Sequence, residues 1–248
     1  MPVLALATLA VVNYPSIFPL GDTAAVVDFG SGISAATLGR VQALREYLLA
    51  WPLTGLRELV PAYVTLTVFY DPWLVRQAGP GLAYAQVAAW LQAALPAAEA
   101  AAAPAPAATV EIPVCYGGEL GPDLAIVAQH AGLTEAEVVA RHAAPTYLVH
   151  LLGFLPGFAY LGGLDAQLAT PRRAAPRARV PAGAVGIAGA QTGIYPLASP
   201  GGWQLIGRTP RRLFDAAQVP PTLLHAGQQL RFVPISVHEF QQLSEHEC

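Results

Sequence analysis

Arginine is concentrated in one stretch of the chain and is well suited to binding an anion. Seven of the 13 basic residues fall within residues 153–212, all of them arginines, against a single acidic residue. Arg172, Arg173, Arg177 and Arg208 lie near glycine-rich turns such as GAQTG. Guanidinium groups and the backbone N–H groups of such turns bind carboxylate and phosphate. The stretch therefore predicts an anion site, unless these arginines form a solvated surface or pair with the acidic first domain.

The same stretch is predicted to be folded. It holds eleven glycines and seven prolines, but also large apolar residues such as Phe158, Tyr195 and Trp203. Disordered segments lack such residues, because they cannot bury enough apolar surface to offset the entropy of ordering. Glycine in this setting indicates tight turns and close backbone approach within packed β structure.

Composition excludes several kinds of chemistry. The chain has 13 arginines and no lysine, so it lacks the amine of a P-loop, of a Schiff base, or of a biotin or lipoyl attachment site. We therefore expect no covalent cofactor. The net charge of −3 argues against a nucleic-acid partner. The six histidines are dispersed and the two cysteines are far apart, so we predict no metal site and no disulfide framework.

No complete set of catalytic residues is evident, and we leave the catalytic residues unassigned. His150 lies in an apolar strand and is predicted as a core histidine rather than a general base. His142 ends a predicted helix, where an imidazolium would favour the helix dipole. A structural role there is at least as well supported as a functional one. Cys115 has no neighbouring base and is predicted to be a small buried side chain.

Residues 18–95 predict a small α+β sandwich, with helices on one face of a mostly antiparallel sheet. The alternation of apolar and polar residues distinguishes strands from helices. The predicted elements are strands Thr23–Phe29, Leu56–Pro61 and Tyr63–Tyr70, and helices Ser34–Ala50 and Tyr84–Leu95.

A stretch of alanine and proline, interrupted only by Glu99, predicts a domain boundary. Beyond it we expect a strand at Val110–Val114, then helices Pro122–Ala131 and Thr134–His142, the second opened by a capping box. Short apolar runs between Gly and Pro turns follow to Pro234, as in a closed β-barrel. The predicted domains are an N-terminal α+β domain at 1–95 with an apolar extension at 1–17, a linker at 96–108, and a β-barrel domain at 109–248.

The amino-terminal residues Met1–Val12 are apolar but do not predict export. The first basic residue is Arg40, so a signal peptide's positive region is missing, and the run is too short to span a bilayer. We expect a strand or an upstream extension here, a cytoplasmic location and no membrane partner.

Long segments of the chain resemble one family. The segments IPVCYGGELGPDL, HAAPTYLVHLLGFLPGFAYLGGL and TPRRAAPRARVPAGAVGIAGAQTGIYPLASPGGWQLIGRTP are similar to the family that holds the B subunit of 5-oxoprolinase (PxpB), the kinase inhibitor KipI and allophanate hydrolase subunit 1. FPLGDTAAVVDFG resembles the family's first strand, so the resemblance extends from about Phe18 to Ile235. It implies an α+β domain followed by a cyclophilin-like β-barrel.

The resemblance also implies a function within a complex. Members work with a homologous carboxyltransferase A/B-type subunit (PxpC- or KipA-like) and a third, PxpA-like subunit, opening 5-oxoproline to glutamate at the expense of ATP. We expect a hydrolase subunit that is inactive alone. Two alternatives stay open: an inhibitor that binds a sensor histidine kinase, and a carboxyltransferase component of allophanate or urea breakdown. The expected site joins an apolar wall, uncharged hydrogen-bonding groups and arginines. Its residues are Phe154, Pro156, Phe158, Tyr160, Arg172, Arg173, Arg177, Gln191, Thr192, Tyr195 and Arg208.

Overall fold

The structure, a computed structural model, describes residues 15–30, 32–100 and 108–246. The chain divides into two compact units, Met1–Ala103 and Pro104–Cys248, which we call unit 1 and unit 2. The division falls within the stretch predicted as a linker. Each unit has its own hydrophobic core.

Unit 1 packs helices against an antiparallel sheet. The strands are β1 (Ser16–Pro19), β2 (Ala24–Asp28), β3 (Leu56–Ala62) and β4 (Thr65–Tyr70), and the helices are α1 (Ala35–Ala50), α2 (Pro72–Ala78) and α3 (Ala83–Ala100). The sheet order within the described residues is β1-β2-β4-β3. Along β4, every second residue is buried: Leu66, Val68 and Tyr70 face the helices, as the alternating sequence predicts.

Helix α3 extends into the predicted linker, so the lower bound of that linker at residue 96 is wrong. Pro96 lies inside the helix, although proline disfavours a helix interior by about 3 kcal/mol. The helix continues because Ala98 is buried in the core of unit 1 and Glu99 forms an ion pair with Arg40 at 2.6 Å. The rest of the predicted linker at 101–107, and the extension before residue 15, lie outside the described residues.

Unit 2 is a closed β-barrel, which confirms the predicted α+β class with a barrel in the second half. Seven strands of the described chain close in the order β10-β7-β6-β13-β5-β12-β9, and β8 and β11 pair as a separate two-stranded ribbon. The barrel strands are β5 (Val110–Tyr116), β6 (Tyr147–Leu152), β7 (Ala159–Gly162), β9 (Ala184–Ala188), β10 (Gln191–Ile194), β12 (Gln204–Arg208) and β13 (Gln229–Pro234), and the ribbon strands are β8 (Arg177–Val180) and β11 (Ser199–Gly201).

Two short helices follow β5, as predicted. Thr134 caps the second one: its hydroxyl accepts from the backbone N–H of Glu137, whose carboxylate accepts from the backbone N–H of Thr134. The glycine that separates the helices, Gly132, adopts a left-handed conformation with φ of 67°, which ends the first helix. The helices of unit 2 are α4 (Leu124–Ala131), α5 (Glu135–Ala143) and, not predicted from the sequence, α6 (Val237–His246).

Candidate functional site

Five aromatic side chains gather on one side of the barrel, and we call them the aromatic wall: Phe154, Phe158, Tyr160, Tyr195 and Trp203. The ring of Phe158 lies at the centre, with centroids 4.8 Å from Tyr160, 5.2 Å from Tyr195 and 5.4 Å from Trp203. The contacts to Tyr195 and Trp203 are edge-to-face, the arrangement that aromatic quadrupoles favour. Four of these residues were predicted as site residues, and Trp203 was not.

Glycines in the neighbouring strands make room for these rings. A Cβ atom at Gly193 would lie 3.1 Å from the rings of Phe158 and Trp203. A Cβ atom at Gly201 would lie 2.5 Å from the Tyr195 hydroxyl. The glycine-rich composition of this stretch therefore serves close packing against aromatic rings, as the sequence predicts.

Phe154 is the most exposed member of the aromatic wall; Tyr160 is partly exposed, and the other three residues are buried. Phe154 is 62% exposed, and its backbone has a φ of 69°, a left-handed conformation that is unfavourable for a bulky residue. Its ring meets Phe158 and Tyr195 almost at right angles. Pro156, in the same turn, is also exposed. Strained backbone that presents an exposed aromatic ring is typical of a ligand-contacting segment.

Arg172 is an exposed cation beside the aromatic wall. Burial raises the pKa of the Tyr160 and Tyr195 phenols, and the positive charge of Arg172 partly offsets this effect at both. The side chain is exposed, and among residues 15–30, 32–100 and 108–246 no hydrogen bond or ion pair engages its guanidinium. Arg172 is therefore available to an anion next to a largely apolar surface.

Arg173 and Arg177 bind a carboxylate of the protein itself. Asp123, only 2% exposed, accepts hydrogen bonds at Oδ1 from Arg177 Nη2 at 2.8 Å and from Arg173 Nη1 at 3.2 Å. Both arginines were predicted to bind the ligand anion. For these two residues the alternative prediction, that the arginines pair with acidic residues of the protein, applies instead. Their partner lies in unit 2 and not in the first domain.

The three remaining predicted site residues lie on barrel strands, Arg208 at the end of β12 and Gln191 and Thr192 at the start of β10. Arg208 Nε donates to the carbonyl of Ala182 at 2.8 Å and so holds the turn that precedes β9. Gln191 is half-buried at the first position of β10. Thr192 is completely buried and hydrogen-bonds within the barrel. The structure thus separates the predicted residues into the aromatic wall with Arg172, the arginines on Asp123, and these three.

Thr192 belongs to a chain of buried hydrogen bonds through His142. The Thr192 hydroxyl donates to the carbonyl of Gly186 at 3.0 Å and lies 2.9 Å from His142 Nε2. His142 Nδ1 lies 2.8 Å from the Tyr116 hydroxyl. Because the Thr192 proton is committed to a carbonyl, Nε2 carries the imidazole proton and Nδ1 accepts from Tyr116.

The expectation of a charged His142 at the helix end is wrong. The residue is 0% exposed and its ring stacks on Phe232, with centroids 4.6 Å apart. Burial lowers the pKa of His142 from 6.5 to about 3, so the imidazole is neutral. His150 is buried in β6, as predicted, and burial lowers its pKa too. Both histidines therefore belong to the folded core.

Among the described residues, no group of three or more His, Cys, Asp or Glu side chains is arranged to bind a metal ion. Cys115 is a buried free thiol, and burial raises its pKa. In the same part of the chain, no helix has the length and apolar character needed to cross a membrane.

The fold and sequence place the chain in a defined class. The family model of the carboxyltransferase domain, subdomain C and D, matches residues 15–224, and the chain belongs to this family. Within the family it is 44% identical to the 5-oxoprolinase B subunit of Bacillus subtilis, over 91% of this chain and 95% of that protein. It is 45% identical to the 5-oxoprolinase B subunit of Escherichia coli O157:H7, over 87% of this chain and 94% of that protein.

Solved structures share the architecture. The crystal structure of TTHA0988 superposes with a TM-score of 0.73 at 39% identity, covering 86% of this chain and 40% of that one. The chain therefore spans less than half the length of TTHA0988. The urea carboxylase of Kluyveromyces lactis superposes with a TM-score of 0.69 over 93% of this chain and 22% of that one. At 18% identity, the second likeness concerns the fold alone.

Proposed function

We propose that this chain is the B subunit of an ATP-dependent 5-oxoprolinase, a hydrolase complex that opens 5-oxo-L-proline to L-glutamate. The observation that carries the proposal is the 44% identity to a 5-oxoprolinase B subunit over 91% of this chain and 95% of that protein. An alignment of that extent includes both units and leaves little of either protein unmatched. We therefore infer the same role and, with it, a cytoplasmic location.

The proposal includes partner subunits, because the relatives are named as one subunit of an enzyme. We propose a carboxyltransferase A/B-type partner and a third subunit, with ATP bound and hydrolysed by the assembled complex. TTHA0988 supports a second component, since more than half of that chain lies outside the match to this one. The chain's own groups support it as well: the buried His142 is a hydrogen-bonded core residue and not an exposed general base.

Within the complex, we propose that the aromatic wall and Arg172 bind the substrate. 5-Oxoproline is a compact five-membered lactam with one carboxylate. Its ring would pack on Phe154, and its carboxylate would accept a pair of hydrogen bonds from the Arg172 fork, worth about 1.5–3 kcal/mol each when a charged group is involved. Arg173 and Arg177 are already engaged by Asp123, and Arg208 donates to a backbone carbonyl.

The two alternative functions have weaker support. The likeness to urea carboxylase is at 18% identity and bears on the fold. For the kinase-inhibitor alternative, the exposed Phe154 would be the surface that docks a helix. The relatives that are 44% and 45% identical over most of this chain are both named 5-oxoprolinase B subunits.

Deletion of the gene in the source organism tests the proposal. We expect the deletion strain to accumulate 5-oxoproline and to lose growth on 5-oxoproline as the nitrogen source. The wild-type gene should restore growth, and an Arg172→Met variant should not. An Arg76→Met variant, which changes an exposed arginine of unit 1, is the matched control and should restore growth. Unchanged 5-oxoproline use, with altered sensor-kinase phosphorylation or lost growth on urea, would support an alternative instead.

A further inference from the structure

Asp123 takes the place of a missing strand neighbour beside β12. Strand β9 pairs with β12 along one edge, but β5 reaches the other edge only at Gly207 and Arg208. Leu205, nearer the start of β12, receives both of its hydrogen bonds on that edge from Asp123. The backbone N–H of Asp123 donates to the Leu205 carbonyl at 2.8 Å, and Oδ2 accepts from the Leu205 N–H at 2.7 Å. The carboxylate is thereby fixed in position.

The second oxygen of the same carboxylate holds the arginine segment. Oδ1 accepts from both Arg173 and Arg177. The backbone of Arg173 also donates to the Gly202 carbonyl at 2.8 Å, and Arg177 pairs with Gly201 in the ribbon of β8 and β11. Segment 173–177 is therefore attached at both ends to the residues that lead into β12.

Arg172 immediately precedes this attached segment. The backbone N–H of Arg173 donates to the carbonyl of Gly202 at 2.8 Å, and Gly202 lies between Gly201, which packs on the Tyr195 ring, and Trp203. The backbone from which the Arg172 side chain extends is therefore held against the aromatic wall. Asp123 also directs two of the three neighbouring guanidinium groups inward, onto a buried oxygen. Of Arg172, Arg173 and Arg177, only Arg172 is then left to face a ligand.

We propose that Asp123 is a positioning and specificity-determining residue: it fixes Arg172 beside the aromatic wall and withholds Arg173 and Arg177 from the ligand. The proposal rests on the proposed function, since it takes Arg172 as the group that binds the substrate carboxylate. One guanidinium matches a monocarboxylate, whereas phosphate, with more charge and more oxygens, favours several. Asp123 thus makes the site selective for a monocarboxylate over phosphate.

The test measures steady-state kinetics of the assembled complex with inorganic phosphate as the competing anion. For Asp123→Asn, we expect KM for 5-oxoproline to rise at least about fivefold with kcat within about twofold, and phosphate inhibition to strengthen at least about fivefold. Asp123→Glu keeps the charge but displaces the carboxylate by one methylene. The Asp123→Glu variant should raise KM for 5-oxoproline and leave phosphate inhibition unchanged. If the Asp123→Asn variant does not fold, the Asp123→Glu result alone tests the proposal.

Asp165→Asn is the matched control. Asp165 also accepts hydrogen bonds from an arginine, Arg141, and from a backbone N–H, that of Gln167. Its replacement should change neither KM nor phosphate inhibition. A lower melting temperature for the Asp123 variants with unchanged KM and unchanged phosphate inhibition would overturn the proposal and leave Asp123 a structural residue.

Arg172→Met separates this proposal from the proposed function. If Arg172→Met leaves KM for 5-oxoproline unchanged, the substrate site itself is wrong, and the proposal for Asp123 is overturned with it. If Arg172→Met raises KM while both Asp123 variants behave as wild type, the substrate site stands and only the role of Asp123 is overturned.

Discussion

Replacing His142 by glutamine should make unit 2 less sensitive to acid. The neutral imidazole is buried and its pKa lies near 3, against 6.5 for an exposed histidine. Between these values the unfolded chain binds a proton that the folded chain excludes, so stability falls as the pH decreases, by about 1.4 kcal/mol per pH unit. From pH 7.5 to pH 5, His142 alone should therefore remove about 2 kcal/mol of unfolding free energy.

Glutamine cannot titrate, so this loss should be absent in the variant. At pH 7.5 the unfolding free energy of the variant should be lower than that of the parent by about 1–3 kcal/mol. The stacking on Phe232 is lost, and the hydrogen bonds to Tyr116 and Thr192 are disturbed. The carboxyl groups whose pKa is lowered by hydrogen bonds, such as Glu137 and Asp165, are present in both proteins. The difference between the two proteins therefore isolates His142.

Urea unfolding followed by tryptophan fluorescence provides the measurement. Of the four tryptophans, Trp203 alone lies in unit 2. Both proteins are therefore compared in a background where Trp51, Trp73 and Trp90 are phenylalanine. An equal loss of stability between pH 7.5 and pH 5 in the parent and in His142→Gln would refute the assignment of a buried neutral imidazole.

Three further outcomes are expected. Arg208→Lys should lower the unfolding free energy by about 1 kcal/mol in urea titrations, because Lys cannot reproduce the Nε hydrogen bond to the Ala182 carbonyl. KM for 5-oxoproline in the complex should stay unchanged. A raised KM would show that Arg208 belongs to the substrate site. Gly121→Ala should lower the unfolding free energy by at least about 2 kcal/mol, since its Cβ would overlap the Ile206 carbonyl, and unaltered stability would contradict this packing. We propose that unit 2 is an independent domain, so residues 108–248 produced alone should give a folded protein by circular dichroism and a cooperative thermal transition; a molten or insoluble product would count against autonomy.

Local sequence patterns correctly predicted the elements that are stabilised by contacts between residues close together in the sequence. The capping box at Thr134 and the alternating strand that became β4 depend on neighbours a few residues away, and both are confirmed. The extension of α3 through Pro96 was missed because Ala98 is stabilised by burial against other elements. Helix α2 was also missed, although Asp71 before Pro72 is a helix-start signal that the sequence contains.

The candidate site could be predicted from the sequence only in part. The high density of aromatic and arginine residues predicted the region of the candidate site, because both types are unusual at such frequency. It did not indicate which arginines are engaged. Asp123 is 50 residues from Arg173 along the chain, and only the closed barrel brings the two together. His142 similarly meets Thr192 across 50 residues, so its burial and neutrality could not be read from its position at a helix end.

The most direct test of the central claim is ATP-dependent release of glutamate from 5-oxoproline by purified components. The chain alone should release no glutamate, and the chain combined with its two cognate partner subunits should release glutamate in proportion to the ATP hydrolysed. Leaving this chain out of the mixture should abolish the activity. Glutamate release by the chain alone, or undiminished release by the two partners without it, would contradict the proposal that this chain is the B subunit of a 5-oxoprolinase complex.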